Sequence, residues 1–130
     1  MRNMKALAAA ACLALFATTL AYGVDFLLRT NIPFPFVASG KVLPAGDYAF
    51  RYDFASRTVK VSGWSKGDIY LPSITSLAAG IHSTVRDAYI VFDKVGETYT
   101  LSEVWEPNMD GILLYATKEK HEHQVVHAKR

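Results

Sequence analysis

The residues with the clearest chemical potential are three histidines near the C-terminus, His121, His123 and His127. In a strand His121 and His123 would share a face, whereas in a helix His123 and His127 would, at positions i and i+4. Either arrangement could bind a borderline metal ion through imidazole nitrogen, with an oxygen ligand from Glu119 or Glu122. The spacing differs from the H-E-x-x-H pattern of catalytic zinc helices. We therefore expect a solvated chain terminus here, with a metal site at these histidines as the alternative.

A second candidate is Ser65, the serine of a Gly-Trp-Ser-Lys-Gly pattern. A G-x-S-x-G pattern forms a nucleophile elbow when a strand-to-helix turn exposes the serine above a parallel sheet. Here the following segment, Asp68–Pro72, has the composition of a strand and contains a proline. Asp87, Asp93 and His121 would supply the chain order Ser, Asp, His, but such an order arises easily by chance. We therefore expect a surface turn between strands, and a small hydrolase is the alternative.

A ligand-binding face is the third candidate. Tyr99, Leu101 and Trp105 alternate along one segment and predict one face of a strand, which Glu103 interrupts. A carboxylate among aromatic side chains can contact a ligand, while a position at a strand edge or pairing with Lys or Arg is the alternative. Trp64 is singled out because it falls in a turn. Glu103, Trp105 and Trp64 are therefore the candidate ligand-binding residues, and most other aromatic side chains are expected in the core.

Length and composition bound the fold that must position these residues. The chain has 130 residues, of which 51% are hydrophobic and 20% charged. This composition predicts one ordered domain and excludes a disordered protein. The net charge of +2 includes Arg2 and Lys5. Without these two residues the basic and acidic residues balance, so no nucleic-acid partner is predicted.

The N-terminus is typical of a secretory signal peptide, predicted here as residues 1–23. Ala6–Leu20 carries no charge, and its length of about 15 residues is short for a membrane span of about 20. Small residues place the expected cleavage after Gly23, with cleavage after Ala21 or an uncleaved N-terminal anchor as the alternatives. The single cysteine, Cys12, lies inside this peptide, so the mature chain is expected to have no disulfide.

Residues 24–130 predict a single β-rich domain. In Tyr48–Phe54 four aromatic residues alternate with other residues, which is the pattern of a half-buried antiparallel strand. Leu43–Gly46 predicts a type I turn and Lys94–Glu97 a hairpin connection. Similar patterns along the chain predict an all-β fold, a small antiparallel β-sandwich or β-barrel of about seven to eight strands. The polar tail from about residue 117 could form a short C-terminal helix.

Three segments also stand in the order of a known family. They are Asn31–Val37, Gly40–Tyr48 and Val91–Trp105. The chain resembles a family of small exported proteins abundant in acidobacteria, which run from a signal peptide through PF-x-F and LPAG-x-Y segments to a Y-x-L-x-x-VW strand. The resemblance covers Asn31 to Trp105 and implies export and a β-rich fold. The family has no established activity, so the resemblance supplies no catalytic residues, and it does not extend to the histidine-rich tail.

The sequence therefore predicts an exported binding or structural module of a bacterial envelope, periplasmic or extracellular, with no catalytic residues and no cofactor. Its partner would be a small ligand or an envelope protein, the latter docked at an unpaired sheet edge. No transmembrane span is expected in the mature chain, and no oligomeric state is predicted. A hydrolase that uses Ser65, or a metal-binding protein that uses the C-terminal histidines, is the alternative function.

Overall fold

The computed structural model of the protein describes residues 25–78, 87–107 and 109–129. The predicted signal peptide and its cleavage point at Gly23 lie outside these residues. The described part of the chain holds eleven β-strands and no helix. No helix able to span a lipid bilayer is found in that part of the chain.

The strands form two sheets. In chain order they are β1 (Phe26–Ile32), β2 (Phe36–Ala38), β3 (Lys41–Leu43), β4 (Gly46–Asp53), β5 (Thr58–Ser62), β6 (Ile69–Pro72), β7 (Thr75–Leu77), β8 (Tyr89–Val95), β9 (Thr98–Trp105), β10 (Gly111–Leu113) and β11 (Glu122–His127). The smaller sheet has the antiparallel order β1-β4-β5-β6. The larger sheet has the order β11-β8-β9-β10-β7, and β2, paired with β3, joins β9 in parallel.

One hydrophobic core lies between the sheets. It includes Phe50 and Val59 from the smaller sheet and Ile90, Phe92 and Leu101 from the larger one. Two sheets that share a core through their inner faces make a β-sandwich. The predicted all-β class is confirmed, and the sandwich is the architecture that the chain adopts. There are more strands than expected because several pairings involve only three residues.

The aromatic alternation of β4 points three rings into this core. Tyr48, Phe50 and Tyr52 are buried, while Arg51 on the other face is exposed. Phe54, predicted on the same face, lies beyond the end of the strand in the turn to β5 and is 36% exposed. The period-two pattern was therefore a correct indicator of the inward face, but it overran the strand by one residue.

Tyr48 also explains part of the LPAG-x-Y segment. Its hydroxyl donates a hydrogen bond to the carbonyl oxygen of Pro44 over 2.6 Å, so the strand holds the turn that precedes it. Burial raises the pKa of Tyr48 above its ordinary value, because the phenolate would lose hydration.

The hairpin of β8 and β9 forms the centre of the larger sheet. Val95 pairs with Thr98, so the predicted hairpin connection is confirmed. Gly96 has φ +60°, a left-handed conformation that glycine adopts at no steric cost and that tight hairpin turns require. The first five residues of β8 are buried, as expected for a central strand.

A β-bulge in β9 separates Leu101 and Trp105, which were predicted to share one face of the strand. Leu101 pairs with Phe92 and Glu103 pairs with Val91, so the register skips Ser102. The extra residue reverses the alternation of faces. Leu101 consequently packs into the shared core, whereas Trp105 packs in a second cluster on the outer face of the larger sheet.

The C-terminal tail forms a strand where a short helix had been considered. β11 pairs with β8 from Glu122↔Lys94 to His127↔Tyr89 and covers the edge of that buried strand. Backbone pairing with a central strand outweighs the weak helical pattern of this polar segment. Lys129 then bridges to Arg29 of the smaller sheet, so the tail joins both sheets at one side of the sandwich.

Candidate metal-binding site

A buried carboxylate lies on the outer face of the larger sheet. Asp93 follows Tyr89 and Val91 at alternate positions of β8, and it is only 3% exposed. Among the described residues, no group forms a hydrogen bond with its Oδ1 atom. Burying a carboxylate oxygen without a hydrogen-bond donor is energetically costly. This atom therefore needs a positive or electrophilic partner.

Two histidines face this carboxylate. His123 of β11 is the cross-strand neighbour of Asp93, and its Nε2 atom lies 3.4 Å from Asp93 Oδ1. His121, just before β11, places its Nε2 atom 3.8 Å from the same oxygen. The two Nε2 atoms lie 3.2 Å apart. Strand pairing thus brings Asp93 close to two histidines that lie 28 and 30 residues after it in the sequence. Together the three residues offer three potential ligand atoms.

The tautomer of His121 leaves its Nε2 atom able to bind a metal ion. Its Nδ1 atom lies 2.8 Å from the carbonyl oxygen of Glu119. A carbonyl can only accept a hydrogen bond, so Nδ1 carries the hydrogen and the Nε2 atom of neutral His121 presents a lone pair. Metal-binding histidines are commonly held in this way by a backbone carbonyl.

The spacing of the three atoms fits a metal ion. A point equidistant from Asp93 Oδ1 and the two Nε2 atoms of His121 and His123 lies about 2.0 Å from each, close to the zinc–nitrogen and zinc–oxygen bond lengths of about 2.0–2.2 Å. The three atoms are therefore spaced as the ligands of one ion would be.

Comparison with known proteins adds no relative. No family model, curated protein or solved structure matches this chain. The chemistry of the site therefore follows from its donor atoms. Two imidazole nitrogens and one carboxylate oxygen suit zinc, copper or nickel ions better than magnesium or calcium ions, which prefer oxygen ligands.

A cavity adjoins the three ligand atoms. It has a volume of about 230 Å³, and Asp93, His121 and His123 form part of its lining. Other lining residues include Glu103 and Thr117. One side of the cluster is therefore open to small molecules.

Glu103 is held in this cavity by its neighbour two residues along β9. Trp105 donates a hydrogen bond from Nε1 to Glu103 Oε1 over 2.9 Å. The indole ring is 3% exposed and stacks on Tyr89, with ring centroids 5.8 Å apart. Gly111 lies against the same ring, where an added Cβ would overlap the indole atoms. Glu103 is thus oriented by a closely packed side chain.

The other predicted site residues lie elsewhere. His127 is on β11 with its ring 6.2 Å from that of Tyr89, about 13 Å along the strand from His123. Trp64 packs partly against the shared core, flanked by Lys41 and Lys66, and it does not line the cavity that holds Glu103. Of the six predicted ligand residues, the structure brings His121 and His123 together, and joins Glu103 to Trp105.

Ser65 lies exposed in the turn between β5 and β6. The carbonyl oxygen of Trp64 accepts a hydrogen bond from the amide of Gly67 over 3.2 Å, which closes this turn. The connection joins two antiparallel strands, so the strand-to-helix turn that a nucleophile elbow needs is not formed here.

Asp93 is the candidate ligand that sequence reasoning missed. The sequence offers it only as a possible partner of Ser65 and His121 in the chain order Ser, Asp, His. The available indication was a carboxylate that directly continues the apolar run Tyr89–Phe92. Its partners could not be identified because they depend on which strand pairs with β8.

Proposed function

We propose that this protein is an exported envelope module that binds a divalent transition-metal ion of the zinc, copper or nickel type. Asp93, His121 and His123 are the ligands. The observation that carries the proposal is Asp93 Oδ1, a buried oxygen with no hydrogen-bond donor among the described residues and with two histidine Nε2 atoms within 3.8 Å.

The energetics of the cluster favour an ion. A buried carboxylate retains most of its desolvation cost until a compensating charge arrives. A divalent ion supplies that charge and accepts a lone pair from each imidazole. The two Nε2 atoms of His121 and His123, 3.2 Å apart, can both bind the same ion.

The export part of the proposal rests on the sequence. The basic start, the apolar run Ala6–Leu20 and the small residues before Val24 support cleavage and translocation. The resemblance to the exported acidobacterial family supports it too. Mass spectrometry of the protein recovered from the envelope or the medium should find Val24 as the first residue, and a full-length cytoplasmic product would contradict export.

A zinc titration by calorimetry tests the metal site, with protein that carries no histidine tag. The wild-type protein should bind one zinc ion. Asp93→Asn, His121→Gln and His123→Gln should each weaken zinc binding by more than about 10-fold, because each removes one ligand.

His127→Gln is the matched control, since His127 lies on the same exposed strand but outside the cluster. It should leave zinc affinity unchanged. If His127→Gln weakens binding as much as His123→Gln, or if Asp93→Asn has no effect, the ion is bound elsewhere and the proposed site is wrong.

A further inference from the structure

We infer that the bound metal ion keeps a coordination position for a small uncharged ligand, and that Glu103 accepts a hydrogen bond from an O–H or N–H group of that ligand. The inference rests on the proposed metal site and identifies the class of molecule that the site takes.

The first argument is the number of protein ligands. Asp93, His121 and His123 supply three donor atoms. Zinc sites with three protein ligands keep a fourth position for water or substrate, whereas structural sites close all four with protein atoms. The cavity of about 230 Å³ reaches the three ligands, so the fourth position is accessible.

Glu103 lies close to the three ligands. It lines the same cavity, and it pairs with Val91, two residues before Asp93 on β8. A ligand of a few atoms bound to the ion can therefore reach it. The Trp105 N–H uses only part of the accepting capacity of this carboxylate, which can accept further hydrogen bonds.

Charge decides which ligands this cavity favours. Asp93 and Glu103 each contribute one negative charge, and among the described residues no lysine or arginine lines the cavity. Once a divalent ion is bound, the two carboxylates cancel its charge. The site then offers no net attraction to an anion. Glu103 favours a ligand that has a hydrogen-bond donor. A compact neutral molecule with a metal-binding oxygen or nitrogen beside an O–H or N–H group satisfies both groups at once.

Cobalt(II) makes the open position visible, because its absorption spectrum responds to a change in its ligands. Two probes separate the contributions: pyrazole, which is uncharged and carries an N–H group beside the nitrogen atom that binds a metal ion, and azide, which is an anion without hydrogen. Both should change the spectrum of the cobalt-loaded wild-type protein. Glu103→Gln should weaken the binding of pyrazole by about 10-fold or more, because a charge-assisted hydrogen bond is lost. The same substitution should leave the binding of azide unchanged or strengthen it, because a negative charge has been removed.

Trp105→Phe is the second variant, since it keeps an aromatic ring but removes the N–H that orients Glu103. It should weaken the binding of pyrazole without weakening that of azide. Equal losses of both probes in Glu103→Gln would overturn the role of Glu103. If cobalt binds but neither probe changes its spectrum, the open position is wrong while the proposed metal site stands. If neither cobalt nor zinc binds to the wild-type protein, the proposed function itself fails.

Discussion

His123 faces Asp93 across the β8–β11 pair, with its Nε2 atom 3.4 Å from the buried Oδ1 atom. Asp93 belongs to β8, a buried interior strand of the larger sheet, and His123 belongs to the exposed edge strand β11. Metal binding at the proposed site would therefore join β11 to β8, and the proposed site forms only when β11 is paired.

Zinc should stabilise β11. The strand is an edge, exposed along most of its length, so its backbone hydrogen bonds are expected to open more readily than those of β8. The proposed ligands come from β8 and from the β11 segment. Opening β11 would therefore release the ion, and its binding free energy would be lost. Hydrogen exchange of residues 122–127 should slow when zinc is added to the wild-type protein. The same segment in Asp93→Asn should show no change, and equal slowing there would disprove the coupling.

Removing the charge of Asp93 should stabilise the metal-free protein. Its Oδ1 atom has no hydrogen-bond partner among the described residues, and Asp93→Asn replaces this buried carboxylate by a neutral amide at almost constant volume. We expect a gain of about 1–3 kcal/mol in the free energy of unfolding, measured by urea in the presence of a chelator. Excess zinc should reverse the order of the two proteins. A variant that is less stable than the wild-type protein without metal would contradict this account.

Gly111→Ala should disturb the Trp105 ring. A Cβ at Gly111 would overlap the indole, and the buried ring has little room to move. We expect a loss of about 1–3 kcal/mol in unfolding free energy together with altered tryptophan fluorescence. In a Trp105→Ala background the methyl group has space, so the same substitution should cost clearly less. Equal costs in both backgrounds would show that the indole is not the obstacle.

Tyr48→Phe should remove the hydrogen bond to Pro44 at a cost of about 1 kcal/mol in unfolding free energy. Burial raises the pKa of Tyr48 above its ordinary value of about 10. The neutral form is therefore favoured in the folded protein. The contribution of neutral Tyr48 to the free energy of unfolding is complete below pH 10 and is lost as pH rises through the folded pKa. The variant should lose less stability than the wild-type protein between pH 9 and about 11. Tyr70→Phe is the control, since Tyr70 is 59% exposed. This substitution should leave the free energy of unfolding unchanged.

Local patterns were sufficient where neighbouring residues decide the structure. The aromatic alternation of Tyr48, Phe50 and Tyr52 predicted an inward strand face, and Gly96 lies in a hairpin that its sequence predicted. The face of Trp105 could not be predicted in this way, because a single skipped residue, Ser102, inverts every position after it. The strand at the C-terminus was missed because its polar residues pair through the backbone with β8.

The proposed metal site could likewise be predicted from the sequence only in part. His121 and His123 could be identified from their types and close spacing, and their shared face was predicted for a strand. Asp93 could not be added, since only the pairing of β11 with β8 makes it their neighbour. The link between Glu103 and Trp105 likewise depends on the bulge that turns both residues outward.

The most direct test of the metal site is a crystal structure of the zinc-loaded protein, with the ion located by its anomalous scattering. We predict one zinc ion within about 2.0–2.2 Å of Asp93 Oδ1 and of the Nε2 atoms of His121 and His123. A zinc ion on other residues, or no ion at this cluster in crystals grown with excess zinc, would contradict the account.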